Sequence, residues 1–257
     1  MHAAADEPAA QIAADVLARL RERRPRVHCI TNSVAQNFTA NMLLAAGATP
    51  SMTVAPEEVA AFVAGSDALL VNLGMFDAER REAIEIGIEE AMEEGVPWVL
   101  DPVYVDRARA RAAFARTIIT KYPRVIRLNA AEFVSLAGSA PGVDSLKRFA
   151  LDSLAVVGLT GATDLVADAA RIARIENGHP FMAKVTAVGC AGTALVAACL
   201  AVEHDPWRAA VAGLVMLGVA GEIAGERAPG PGSLTIGIVD VMHALDRDTL
   251  IKHTRVT

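Results

Sequence analysis

The stretch DALLVNLGMFDAERREAIEIGIEEAMEEGVPWVLDP, residues 67–102, decides the fold class of this chain. It opens on DALLVNLG, an apolar run with no polar face, which is how a strand covered on both sides reads. A long acidic helix is predicted from Ala78 to Glu94, and a second apolar strand, VPWVLDP, stops at Asp101 and Pro102. Strand, helix and strand in that order form a βαβ unit, the building block of a parallel sheet.

The alternation extends in both directions. Upstream, QIAADVLARLRERR puts Ile12, Val16, Leu17 and Leu20 on one helical stripe that Pro25 ends. The strand VHCIT follows, then a helix capped by Asn32 and Ser33 and stopped at Gly47, the strand TPSMTV and a helix from Glu57 to Ala64. Downstream come the strand VIRLN into a helix at Ala130, a short helical piece after Val143, and the strand SLAVVGLTG. LVADAARIARIEN reads as a β excursion, and two very apolar helices follow, one from AVGC through Leu200 and one from Trp207 to Ile223. The expected architecture is α/β: a largely parallel central sheet with helices on both faces, in a single domain over residues 1–257 with residues 1–9 as a flexible tail.

Composition narrows the function. The chain is 53% hydrophobic but only 4% aromatic, a mix suited to helices packed on a buried sheet. Its formal charge of -6 argues against a nucleic-acid surface, and the basic run RERRPR at 21–26 is read as a solvated helix end. No apolar run is expected to span a bilayer, and no targeting segment is read at the start, so no membrane partner and a cytoplasmic location are expected. Cys29, Cys190 and Cys199 lack the spacing of a disulfide framework or a zinc site.

In parallel sheets ligands bind beyond the carboxyl ends of the strands. Four polar strand ends stand out: Thr31-Asn32, Asn72-Gly74, Asp101 and Arg127-Asn129. A fifth feature is KVTAVGCAGTALVAA, residues 184–198, where a small-residue turn runs straight into a helix. The free N–H groups of Val188, Gly189 and Cys190 would converge there on an anion and bias Cys190 toward thiolate, although a small buried helix start reads the same way. Asp101 suits a Mg²⁺ ion or its water shell as well as an Asp-Pro turn. Asn129 and Glu132 have capping-box spacing. Arg127, among apolar neighbours, calls for an anionic partner such as phosphate, and Thr160-Gly161 closes a strand where a nucleotide phosphate could approach. His28 and Cys29 are adjacent on a strand and point to opposite faces, so they cannot form one dyad.

Taken together, HCITNSVAQNFTANMLLAAGATPSM, NLGMF, VLDPV, IRLNAAE, LTG, NGHPFMAKVTAVGC and GPGS resemble, in order and spacing from about Val27 onward, the hydroxyethylthiazole kinase family. The resemblance implies a ribokinase-like three-layer sandwich, a homotrimer with active sites between subunits, and ATP- and Mg²⁺-dependent phosphorylation of the primary alcohol of 4-methyl-5-(2-hydroxyethyl)thiazole in thiamine salvage. It implies Cys190 as the catalytic residue accepting the hydroxyl proton, and nucleotide contacts from Arg127 and Thr160. Met52 and Ala187 would touch the thiazole, with Asn32 and Gly74 along its pocket. Asp101, Glu132 and Asn129 would serve the metal, and for Glu132 family position favours that role over capping.

Several positions depart from the family pattern. Ala187 stands at the first glycine position of Thr-Gly-x-Gly-Cys; if that backbone has φ > 0, the methyl group brings strain of roughly 1 kcal/mol or more and narrows the thiazole pocket. Leu128, Ala162 and Met75 replace a Gly, an acidic residue and a Thr, and VYVDRARARAAF after Asp101 lacks the usual Gly-rich loop. The alternatives these changes open are a kinase for another small heteroaromatic alcohol, or a catalytically weak relative that binds thiazole or nucleotide.

Overall fold

The βαβ unit is present in the computed structural model, which describes residues 7–257. Its strands are β3 (Ala68–Asn72) and β4 (Trp98–Asp101), joined by α4 (Ala78–Glu93). Around it lie β1 (Arg26–Ile30), β2 (Thr49–Ser51), β5 (Val125–Asn129), β6 (Val156–Thr160), β7 (Asp164–Ala167) and β8 (Ile172–Ile175). The sheet order is β2-β1-β3-β4-β5-β6-β7-β8; every pair from β2 to β6 is parallel and the last two pairings are antiparallel. The β excursion after Thr160 is thus a hairpin that extends the sheet edge.

Side chains alternate across each strand, so each strand feeds two cores. Leu70, Val99 and Val125 pack into one, while Leu69, Val71, Leu100 and Ile126 pack into the other. The first core is covered by α1 (Ala9–Arg23), α2 (Ser33–Ala46), α8 (Val188–Leu200), α9 (Pro206–Arg227), α10 (Pro231–Ala244) and α11 (Arg247–His253). The second is covered by α3 (Pro56–Ala64), α4, α5 (Arg109–Ile119), α6 (Ala130–Ala137) and α7 (Val143–Ser153). This is the three-layer arrangement expected from the strand and helix order.

Some expectations change. Residues 1–6 of the expected tail lie outside the described residues, but Ala9 already belongs to α1 and the Glu7 carboxylate pairs with Arg208 at 2.7 Å. The RERRPR run is not simply solvated: Arg21 donates to the carbonyls of Leu245 (2.6 Å) and His243 (2.8 Å), satisfying the C-terminal end of α10. By length and composition α9 is, against expectation, apolar enough to cross a membrane, yet 89% of its apolar window is buried inside the fold. Its hydropathy reflects helices on several sides rather than lipid. The loop after Asp101 leads into α5, and the segment after Gly230 forms α10; neither helix was anticipated.

Candidate active site

The parallel strands deliver their carboxyl ends to one side, and the sheet order reverses at β1, which has β2 on one side and β3 on the other. Such a reversal opens a crevice. Asn32 spans it. As N-cap of α2 it accepts from the Ala35 amide through Oδ1 (3.0 Å), and its Nδ2 donates to Asn72 Oδ1 at the end of β3 (3.1 Å). Asn72 in turn donates to Asp101 Oδ2 (2.9 Å) and to Cys190 Sγ (3.3 Å), and Asn32 Nδ2 lies 3.7 Å from the same sulfur. Thr193 Oγ1, one turn into α8, lies 3.0 Å from Asp101 Oδ2 and 3.2 Å from the Gly189 carbonyl. Asn72, Asp101 and Thr193 are all buried. Gly74 donates its amide to Asn72 Oδ1 at 2.9 Å, and a Cβ there would fall 2.8 Å from Asn32 Nδ2, so only glycine leaves this network room.

Beside the network α8 begins. Its N-cap, Ala187, has φ 69° and ψ -5° and no side chain to cap the helix; the first helical bond runs from the Ala191 amide to the Ala187 carbonyl (2.9 Å). The amides of Val188, Gly189 and Cys190 therefore have no partner within the helix. Arg127, on β5, lays its guanidinium against this turn: a Cβ on Gly189 would be 2.8 Å from Nη1. Its Nε is buried without a hydrogen-bond partner. A helix N-terminus and an uncommitted guanidinium together make an anion-binding corner.

The left-handed backbone at Ala187 is the strain anticipated from its departure from glycine. Relief of about 1–2 kcal/mol, less about 0.4–1 kcal/mol of added unfolded-chain entropy, makes Ala187→Gly more stable by roughly 0.5–1 kcal/mol. Urea unfolding measures this, and an unchanged or lower midpoint would refute it.

Burial pushes the Asp101 carboxyl up, against the opposing pull of Arg127 and of the hydrogen bonds from Thr193 and Asn72. Burial also pushes the Cys190 thiol up to about 12, and the neighbouring Asp101 charge adds to that while Arg127 opposes it. This overturns the expected thiolate bias. The helix N-terminus does favour an anion, but desolvation and an adjacent carboxylate outweigh it. Cys190 stands in the site as a neutral thiol.

At the other end of the corner, Asn129 and Glu132 form a complete capping box. Asn129 Oδ1 accepts from the amides of Ala131 (2.9 Å) and Glu132 (3.0 Å), and Glu132 Oε2 accepts from the Asn129 amide (2.9 Å). Glu132 Oε1 accepts from the Tyr104 amide (3.0 Å), pinning the loop after Asp101. The capping role that family position had subordinated is therefore realised. Burial raises the Glu132 carboxyl, and the Asp101 charge raises it further. Among the described residues no three His, Cys, Asp or Glu gather as a metal cage. Two mutually repelling carboxylates beside an anion corner still fit a Mg²⁺ ion that keeps waters and phosphate oxygens as most of its ligands.

Asn32, Gly74, Asp101, Cys190 and, through its guanidinium, Arg127 are thus brought together. Thr160, in register with Asn129, directs Oγ1 to the Leu128 carbonyl (3.4 Å), and Met52 follows β2 half-buried on the first core. Both lie on the flanks, outside the hydrogen-bonded network. Sequence reasoning missed the roles of Asn72 and Thr193. The available signals were an amide ending an otherwise apolar strand and a lone hydroxyl in the apolar helix, four residues after Gly189.

The sequence profile of the hydroxyethylthiazole kinase family matches residues 17–248. A probable hydroxyethylthiazole kinase of Agrobacterium fabrum is 43% identical, across 98% of this chain and 97% of its own length. The hydroxyethylthiazole kinase of Granulibacter bethesdensis is 46% identical, across 90% of this chain and 89% of its own. The solved structure of the Pyrococcus horikoshii hydroxyethylthiazole kinase superposes with a TM-score of 0.93 at 35% identity, covering 96% of this chain and 98% of its own. A ribokinase-like superfamily protein of Enterococcus faecalis, at 12% identity and a TM-score of 0.69, shares the fold.

Proposed function

This chain belongs to the hydroxyethylthiazole kinase family, and from that premise we propose that it transfers the γ-phosphoryl group of ATP to the primary alcohol of 4-methyl-5-(2-hydroxyethyl)thiazole, recovering the thiazole for thiamine synthesis. The observation that carries the reading is the uncapped start of α8, flanked by Arg127, which has no ion-pair partner among the described residues, and by the network of Cys190 with the buried Asn72, Asp101 and Thr193.

Phosphoryl transfer asks a protein mainly to align donor and acceptor and to neutralise charge. Arg127, Thr160 and the amides of Val188, Gly189 and Cys190 hold the phosphates. Met52 and Ala187 bound the thiazole ring, and Asn32 and Gly74 line the way to the alcohol. When bound, Mg²⁺ neutralises phosphate charge, reached from Glu132, Asn129 and Asp101 through its waters. As the alcohol oxygen bonds to the γ-phosphorus and the bond to ADP breaks, the hydroxyl proton passes to Cys190 Sγ. The thiol passes its own proton on toward Asp101, the neighbouring carboxylate that accepts from the same Asn72 amide that donates to Cys190 Sγ. The proton ends on a carboxylate whose raised affinity suits it to this role.

A homotrimer with sites between subunits is consistent with Leu44 on α2 and Ile236 on α10, both more than half exposed. A cytoplasmic location matches a reaction that consumes ATP. The decisive assay incubates the protein with Mg-ATP and the thiazole alcohol and measures ADP and thiazole phosphate. Alcohol-dependent ADP supports the reading. ADP release only with a different heteroaromatic alcohol redirects the substrate, and saturable binding without turnover refutes a kinase.

A further inference from the structure

The segment from Asn177 to Ala187 connects β8 to α8 and ends in the anion corner, so its placement decides where the first α8 amides point. Gly178, at φ 141°, begins this strap, and a 3-10 helix over Pro180–Lys184 forms its middle. The strap lies against one face of α9. Gly218, Gly221 and Gly225 recur there at spacings of three and four, which stacks them along a single face. A Cβ at Gly218 would fall 2.9 Å from Asn177 Cβ and 3.1 Å from its carbonyl oxygen. At Gly221 it would fall 2.2 Å from Met182 Sδ, and at Gly225 2.2 Å from His179 Cγ. A larger residue at any of these three points would force the strap or its side chains to shift.

An ion pair between the buried Glu222 and the half-exposed Arg255 fastens the strap where it starts. Glu222, 8% exposed, accepts through Oε2 from Asn177 Nδ2 (3.1 Å) and the Gly178 amide (3.3 Å). Arg255 forks onto both carboxylate oxygens (2.5 and 2.6 Å), donates to the Glu176 carbonyl (2.8 Å), and gives its backbone amide to Asn177 Oδ1 (2.7 Å). Hydrogen bonds from Arg255 and Asn177 hold the Glu222 carboxyl below its ordinary range despite burial. Four segments converge here: the end of β8, the strap, α9 and the C-terminal residues.

We propose that the glycine face of α9 and the Glu222-Arg255 pair form a positioning device that sets the anion corner by fixing the strap leading into Ala187. Its effect on turnover rests on the kinase reading above. Among the described residues none of its members hydrogen-bonds to the network around Cys190, so Glu222, Arg255 and the three glycines are positioning residues. A misplacement of the corner by a fraction of a turn would lower the rate of transfer and loosen the contacts its amides make to the phosphates, while Arg127 and Thr160 still hold the nucleotide.

The test is Gly225→Ala in the full chain, alone and combined with His179→Ala, which removes the ring the new methyl meets. Two readouts are taken: kcat with KM for ATP, and the rate at which iodoacetamide alkylates Cys190, the one cysteine not fully buried. Gly225→Ala is expected to lower kcat by on the order of 10- to 10²-fold, with KM for ATP rising by a smaller factor. It is expected to change the alkylation rate by about threefold or more, and the double variant to recover most of both. If Gly225→Ala does not fold, Gly221→Ala with and without Met182→Ala gives the same cycle. Wild-type alkylation and kcat in the single variant would overturn the proposal, as would a loss that the second substitution fails to repair. A wild-type protein that does not phosphorylate the thiazole alcohol defeats the kinase reading instead, and the alkylation arm still decides the strap.

Discussion

Replacing Arg127 by glutamine is expected to cut kcat by on the order of 10³-fold, the scale on which a guanidinium stabilises the transition state of phosphoryl transfer. The residue is held for this purpose in an unusual way. It takes part in no ion pair among the described residues, its Nε is buried without a partner, and its guanidinium lies against the Gly189 backbone. A partly buried guanidinium with an unsatisfied Nε is costly to keep, so the site that holds it should be one that an anionic ligand completes. Its charge also restrains Asp101, Glu132 and Cys190, each of which it pulls toward the ionised form. Loss of Arg127 therefore removes a phosphate contact and lets the two carboxyls rise further. Arg127→Lys keeps the charge but not the planar fork, and should recover only part of the rate. Steady-state kinetics on both variants checks this; a kcat within a few-fold of wild type for Arg127→Gln would remove Arg127 from the mechanism.

The second large effect is at Cys190 and Asp101. Cys190→Ala is expected to slow turnover by roughly 10²- to 10⁴-fold, with little change in ATP binding. The structure adds a condition that sequence reasoning lacked: a thiol pushed up to about 12 cannot act as a free thiolate near neutral pH. With Asp101 proposed as the final proton acceptor, Asp101→Asn should lose turnover to a similar extent. The sign of the pH dependence follows. Asp101 is active as the carboxylate and its carboxyl is raised, so kcat should fall as pH drops, beginning above the ordinary carboxylate range. Cys190→Ala should keep that acid limb and Asp101→Asn should lose it. A pH–kcat profile of the three proteins separates them; an alkaline limb tracking Cys190 ionisation, with no acid limb, would reject the relay.

The positions that strands and helices impose locally were legible in the sequence. Asn72, Asp101 and Asn129 end apolar runs, and a strand end is marked by its own composition and by the turn residues that follow. Asn129 and Glu132 carry their capping box within four residues, so spacing alone states it. Strain at Ala187 was expected only on condition that the backbone at the family's glycine position has φ > 0, and the structure has it at φ 69°. The missed helices are instructive: α5 lies in an Arg- and Ala-rich segment with few large apolar residues, and its helicity depends on packing Phe114 and Ile118 into the second core.

What only the tertiary structure decided are properties of residues far apart in the chain. Thr193 meets Asp101 across 92 positions, Asn72 meets Cys190 across 118, and Arg21 finds the end of α10 across more than 220. None of these pairings has a local signature. The protonation of Cys190 belongs to the same class. Its helix-start position, visible in the sequence, favours thiolate, whereas burial and the neighbouring carboxylate, visible only once the chain is folded, hold the proton in place. Sequence marked the strand ends and the helix start themselves, because period and turn chemistry are short-ranged. The folded chain decided what charge they carry there, because desolvation and Coulomb interaction depend on everything packed around a group, whatever its place in the chain.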